Sequence, residues 1–463
     1  MMIPDVEKFL SPKTPWEVFQ QVYRSSRDCF FLDSLRYAPP DQVYSYIGMD
    51  PALTLYLEKG MVRFDDGTPK KYPAGKLFPV LKRILRTCRI TSSNPFPFFT
   101  GGLVGYWGYD LAELCDKIHF DLGKKSDAPR LWLGLFRDVI VYDHQKKVYY
   151  LAVNHRAAAA RRRGMNRLKA YFNAAIAGSR RRFRLGKIAS EISEQQFTGM
   201  VAKAKEYIAA GDIYQANLSQ RFSFDFSGPT LELYGKLRTI NPSPFSCFLR
   251  ARNLEVISSS PERLIQKKGR MCETRPIAGT CPAHGPRRQL RKWRQKLLRN
   301  EKEKAEHLML VDLERNDLGR VCDYRSVRVA EFMVLEKYSH VVHIVSKIVG
   351  RLKKGKDALD LLKAMFPGGT ITGCPKIRCM EIIDELEPVN RGLYTGSMGY
   401  LDLYGDMDLN IVIRTLILRK NRGSFQVGAG IVHDSIPKKE YEETLHKAEA
   451  LMKALRESGK DAY

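Results

Sequence analysis

A chain of 463 residues with 77 Lys and Arg against 51 Asp and Glu has a formal net charge of +26 and the length to bury a large core in two or three domains. No apolar run reaches membrane-spanning length, and Met1-Met2-Ile3-Pro4-Asp5 lacks the basic-then-apolar order of a secretion signal, which points to the cytoplasm. The nine cysteines form no C-x-x-C pair, which argues against zinc and for reduced thiols.

Residues 1–155 read as a strand-rich N-terminal region. Val43 to Gly48 and Val139 to Asp143 have strand composition, and Gly101 to Asp110 reads as a glycine-aromatic loop or strand edge. Residues 156–192 form a basic, helical connector. Arg156 to Lys187 holds eleven basic residues and no acid, including Arg161-Arg162-Arg163 and Arg180-Arg181-Arg182. A second basic stretch, Arg287 to Lys304, holds nine against Glu301 and Glu303. Such charge invites a nucleic-acid reading. Neither stretch carries a nucleic-acid motif and aromatics are few, so a solvated face is the plainer reading. A non-enzymatic polyanion binder stays as the distant alternative. A basic surface would also attract a dianionic substrate.

Residues 193–457 carry most of the pattern. Ser193 to Gln196 is a capping box ahead of Phe197, Val201, Ala204 and Ile208, and Gly211 ends that helix. A strand follows from Ile213 to Phe226. Leu290 to Leu313 reads as one helix, Asn390 to Val412 as strands with a turn at Gly405-Asp406, and Gln426 to Val432 as a strand. Ser435-Ile436-Pro437 opens the last helix. Strands and helices mix without clean alternation, which favours an α+β fold over a doubly wound sheet.

Two glutamate pairs have helical spacing: Glu303 with Glu306, and Glu440 with Glu443, the latter followed by Lys447. Each pair shares one helix face. Either these are solvated faces with ion pairs, or two such faces meet around a hard cation such as magnesium. His343 shares a strand face with Val341 and Val345, where a satisfied core histidine is the alternative to a site residue. Arg414 is either a carboxylate clamp or a strand arginine in an ion pair.

Four long motifs occur in order: Glu273-Thr274-Arg275-Pro276-Ile277-Ala278-Gly279-Thr280, Asp312 to Arg320 (DLERNDLGR), Phe366 to Lys376 (FPGGTITGCPK), and Gly428-Ala429-Gly430-Ile431-Val432. Together they resemble the chorismate-utilising enzymes, the family of anthranilate synthase and aminodeoxychorismate synthase large components. The resemblance implies two packed antiparallel sheets surrounded by helices. It implies Mg2+ held by Glu306 and Glu443, with Glu303 and Glu440 acting through water or as further ligands. Chorismate would be held by Arg414, Tyr394, Gly428, Gly430, Gly279 and Gln215. Glu262, Thr280, His343, Thr370 and Lys447 match catalytic positions, His343 for proton transfer on the ring, and Lys376 sits with Thr370 in the loop that shapes the ring pocket.

Relatives that add water to chorismate carry a lysine base where this chain has Gln215. An amide has no useful basicity, so an ammonia-using enzyme is expected. Asn217, Gly369, Thr372 and Asp408-Leu409-Asn410 resemble the type that makes 4-amino-4-deoxychorismate for 4-aminobenzoate and folate. Ala278 departs from it, because many such enzymes place a nucleophilic lysine there. The alternative product is anthranilate. No glycine-flanked nucleophilic cysteine with a distant H-x-E is evident, so ammonia is expected from a separate glutamine amidotransferase subunit. Phe31 to Ser34 and Asn241 to Phe245 resemble parts of a tryptophan feedback site.

Overall fold

Leu131–Phe136, Leu-Trp-Leu-Gly-Leu-Phe, is buried at every position. A strand apolar on both faces needs cover on both, and the architecture supplies it. The computed structural model describes residues 4–35, 43–65, 70–92, 94–121, 123–124, 128–173, 183–337 and 341–460. Arg180 to Arg182, Met1 to Ile3 and His340 lie outside the described residues.

Among the described residues the strands form two antiparallel sheets, of thirteen and twelve strands. The first runs Asp5–Phe9, Val148–Val153, Asp138–Asp143, Tyr44–Met49, Cys29–Asp33, Phe245–Ala251, Leu254–Ser260, Thr415–Arg419, Arg422–Ile431, Gln215–Ser227. The second begins Ile277–Pro282, Val341–Arg351, Met271–Thr274, Arg263–Lys268, Met407–Ile411, Ser397–Asp402, and continues through Gly102–Trp107, Leu131–Phe136 and Leu53–Glu58. Each sheet therefore mixes early and late strands. The seams are Cys29–Asp33 against Phe245–Ala251 and Gly102–Trp107 against Ser397–Asp402.

Between the sheets lie Phe30, Val139, Cys247 and Val256 from one and Tyr106, Trp132, Phe136 and Met398 from the other. Helices cover the outer faces. Pro437–Lys460 lays Ala448, Leu451, Ala454 and Leu455 in one core with Phe222 and Phe425. Fully burying each such leucine or phenylalanine is worth about 1.5–3 kcal/mol. This is the α+β architecture expected. No helix among the described residues is long and apolar enough to cross a membrane.

The Ser193 capping box forms as expected and starts Glu194–Ala209, with Gly211 at φ +83° just beyond it. Two expectations need correction. Gly102–Trp107 is a central strand, neither loop nor edge. A Cβ at Gly105 would fall 2.0 Å from the Trp132 carbonyl oxygen, so its glycine serves close packing. The single helix expected over Leu290 to Leu313 is two, Arg287–Arg299 and Glu301–Gly319, broken at Asn300, whose side chain caps the second. The basic segment from Arg156 is helical over Ala158–Asn173, as its pattern suggests, and packs Met165, Leu168 and Phe172 into the first sheet's core.

Candidate active site

Helix Glu301–Gly319 carries the first glutamate pair. Asn300 accepts from the Lys302 and Glu303 backbone N–H groups at 3.1 and 3.4 Å, which fixes the first turn. Glu303 reaches strand Ile277–Pro282 at a β-bulge between Ala278 and Thr280. Gly279 stands there at φ +61°, and a Cβ on it would fall 2.9 Å from Glu303 Oε2. Only glycine meets both demands cheaply. Ala278 beside it is buried and offers a methyl group only.

Glu306, one turn on, accepts from Gln215 Nε2 at 3.0 Å. Gln215 begins strand Gln215–Ser227, whose neighbour Arg422–Ile431 places Gly430 opposite Asn217 and Gly428 opposite Ser219. A Cβ at Gly430 would lie 2.6 Å from Gln215 Nε2, and one at Gly428 would lie 2.8 Å from the Tyr394 hydroxyl. These two glycines let the strand backbone face the cleft. Lys447 donates to the Gly428 carbonyl at 3.0 Å and pairs with Glu443 at 2.7 Å.

The glutamates feel one another. Burial, then the Glu306 and Glu443 charges, hold the Glu303 carboxyl above the ordinary carboxylate range. Burial and Glu443 do the same to Glu440, although the Ser435 hydroxyl and Lys302 pull it down. Four carboxylates on helices Glu301–Gly319 and Pro437–Lys460 thus share one field. Among the described residues no three His, Cys, Asp or Glu side chains gather closely enough to hold a metal ion as they stand. Their chemistry nevertheless fits a hard dication: all donors are carboxylate oxygens, and their repulsion is what a cation would relieve.

Glu262 and His343 form the inner part of the site. Glu262 is buried, and its carboxyl is pushed up to about 7. Desolvation dominates; the Thr370 hydroxyl, the Ile277 backbone and the Arg414 and Lys447 charges oppose it. Thr370 Oγ1 and Glu262 Oε1 are nonetheless both buried without a hydrogen bond of good geometry, so the hydroxyl acts on the carboxyl by proximity. His343 Nδ1 lies 3.0 Å from Thr280 Oγ1 and 3.1 Å from the Gly279 carbonyl. Burial depresses the imidazole to about 4, so the ring is neutral near pH 7. A carbonyl can only accept, which puts the ring proton on Nδ1 and leaves the lone pair on Nε2.

Arg414 bears on both Glu262 and His343. It sits where the chain leaves Met407–Ile411 in the second sheet for Thr415–Arg419 in the first, at φ +52°. A left-handed arginine is uncommon, and such conformations concentrate at functional sites. The site residues named from the sequence therefore occupy one region where the two sheets meet.

Lys376 does not join them. Its ammonium is buried against Asp317 and the Met365 and Pro367 carbonyls, so it braces the glycine loop instead of facing the ring pocket. The sequence reading missed the buried pair Arg391 and Glu387, whose arginine also donates to the Asn217 and Ile371 carbonyls. It missed Glu314 as well. At the other end, Leu32, Asp33, Ser34, Pro244 and Phe245 do come together, around a cavity of about 60 Å³ with Lys268 and Met398. Asp33 is paired there with Arg238 at 2.8 Å.

Known proteins resemble this chain over most of its length. Residues 35–453 match the model of the chorismate binding enzymes. Aminodeoxychorismate synthase component 1 of Bacillus subtilis is 40% identical over 444 residues, covering 94% of this chain and 93% of that protein. Anthranilate synthase component 1 of Methanothermobacter thermautotrophicus is 36% identical, covering 98% and 95%. The crystal structure of anthranilate synthase component I from Streptococcus pneumoniae superposes with a TM-score of 0.78 at 33% identity, over 90% of this chain and 93% of that one. The menaquinone-specific isochorismate synthase of Escherichia coli, at 16% identity, shares the fold with a TM-score of 0.74 over 98% and 95%. With glutamates, arginine and glycine strands converging as described, the chain belongs to the chorismate binding enzyme family.

Proposed function

We propose that this chain is the large component of an aminodeoxychorismate synthase, which replaces the C4 hydroxyl of chorismate by an amino group and keeps the enolpyruvyl ether. The observation that carries the reading is Gln215. Its amide is spent on Glu306 and cannot act as a base, so water is not activated, whereas ammonia is already a nucleophile. Similarity to the Bacillus subtilis protein supports amination at C4.

Glu303, Glu306, Glu440 and Glu443 would hold Mg2+, which supplies positive charge for a substrate carboxylate. Arg414 takes the other carboxylate, with the Tyr394 hydroxyl and the backbone at Gly428 and Gly430 fixing the ring. Glu262, protonated near neutrality, gives its proton to the departing C4 hydroxyl, which leaves as water. The ammonia nitrogen bonds to C4 and releases one proton, which restores Glu262. His343 Nε2 faces the ring as a neutral acceptor. Ammonia comes from a cytoplasmic glutamine amidotransferase partner or from free ammonium.

Ala278 favours a second reading, anthranilate formation with loss of pyruvate, because no lysine stands there to attack C2. Incubation with chorismate, Mg2+ and ammonium, before and after adding aminodeoxychorismate lyase, separates the two. Lyase-dependent 4-aminobenzoate supports the first; fluorescent anthranilate without lyase overturns it. The segments around the Asp33 cavity resemble a tryptophan feedback site, and a rise in melting temperature with tryptophan tests binding there.

A further inference from the structure

Glu314 is a second buried glutamate with no part in the steps above. It is 4% exposed, on helix Glu301–Gly319. Its Oε2 lies 2.5 Å from Thr274 Oγ1, which lies 2.9 Å from the Leu264 carbonyl oxygen. A threonine hydroxyl has one proton for these two neighbours. Pairing of Arg263–Lys268 with Met407–Ile411 slips between Arg263 and Ile265, so Leu264 leaves that ladder at a β-bulge. Its carbonyl, which can only accept, takes the threonine proton. Thr274 Oγ1 then has only lone pairs to offer Glu314. Two acceptors at 2.5 Å would repel, so the proton between them belongs to the carboxyl.

We propose that Glu314 is a neutral carboxylic acid in the working enzyme, donating to Thr274, and that it is a positioning residue for Glu262. The two are joined through the bulge: Glu262 stands two residues before Leu264, and its carbonyl accepts from Ile411 N–H at 3.0 Å. Charges around Glu314 agree. Burial first, then the Glu262 and Asp317 charges, favour its neutral form; a Thr274 hydroxyl turned to donate to the carboxylate, and the Lys376 ammonium, would favour the charged form, and the carboxyl keeps its proton up to about 8. A neutral Glu314 anchors the bulge without placing a second negative charge beside Glu262. Ionised, it would lose its donor role and repel Glu262. The role for Glu262 rests on the reaction proposed above; the protonation of Glu314 does not.

Infrared difference spectroscopy of wild type against E314Q reads the protonation directly and needs no turnover. A protonated-carboxyl stretching band present at neutral pH, lost in E314Q, is expected. A carboxylate pair of bands at that pH in its place overturns the proposal whether or not the chain makes aminodeoxychorismate. For the positioning role, E314A lowers kcat about tenfold, and E314Q, which keeps a neutral donor, restores most of it. An E314Q protein as inactive as E314A, with unchanged circular dichroism, overturns that role, because the acid itself would then be transferring a proton.

Discussion

Gln215 donates its side-chain amide to Glu306 Oε1 at 3.0 Å, tying the first strand of the catalytic region to the helix that carries the first glutamate pair. In the proposed reaction, position 215 selects the nucleophile. Gln215→Lys is expected to lower ammonia-dependent turnover at least about tenfold, roughly 1.4 kcal/mol in the barrier, and to yield a hydroxylated ring product. Chromatographic separation of products measures both. Unchanged amination with no hydroxylated product would remove the selector role.

The Glu262 carboxyl, held up to about 7 mainly by burial, must be protonated to assist departure of a hydroxyl. Activity should therefore fall as pH rises through about 7. Glu262→Gln should cost on the order of 10²-fold in kcat and flatten that limb. A pH–rate profile of both proteins decides.

Glu303 and Glu440 are raised above their ordinary 4.5 by burial and by neighbouring carboxylates. A carboxyl raised on folding stabilises the folded state below its unfolded value and loses that contribution as pH rises through the folded value. Metal-free protein should thus lose stability as pH climbs above about 4.5, and Mg2+ should offset the loss by binding the folded form. Glu303→Gln should raise the melting temperature in EDTA and shrink the Mg2+ response. Equal slopes with and without Mg2+ would count against the shared carboxylate field.

Asn300 caps the helix that bears Glu303 and Glu306. Asn300→Ala is expected to cost about 1 kcal/mol in urea unfolding and to weaken Mg2+ binding in calorimetry, since Glu303 lies in the turn the cap secures. A loss of stability with unaltered Mg2+ affinity would separate the cap from the site.

Much of this was legible in the chain. The capping box at Ser193, the last helix from Pro437 and the glutamate spacing all follow from local periodicity. Their convergence does not, because it depends on two sheets that meet only after distant strands pair. Gly102–Trp107 was misread because its glycines answer to a neighbouring strand's backbone, which local composition does not reveal. Glu314 was visible as a charge among Leu310, Val311 and Leu318 on a buried helical face, but its partner Thr274 lies on a distant strand and meets the Leu264 carbonyl only through a bulge. Lys376 looked like a pocket residue because its carboxylate, Asp317, lies on another helix.

The mixed strand order has a consequence during synthesis. Cys29–Asp33 waits for Phe245–Ala251, and Gly102–Trp107 for Ser397–Asp402. Pairings separated by roughly 200 to 300 residues leave a nascent chain with open sheet edges until nearly all of it has emerged from the ribosome. Early strands such as Leu131–Phe136 would then be the segments a chaperone shields, and a cut between the halves would release two fragments that each lack the mate for an edge.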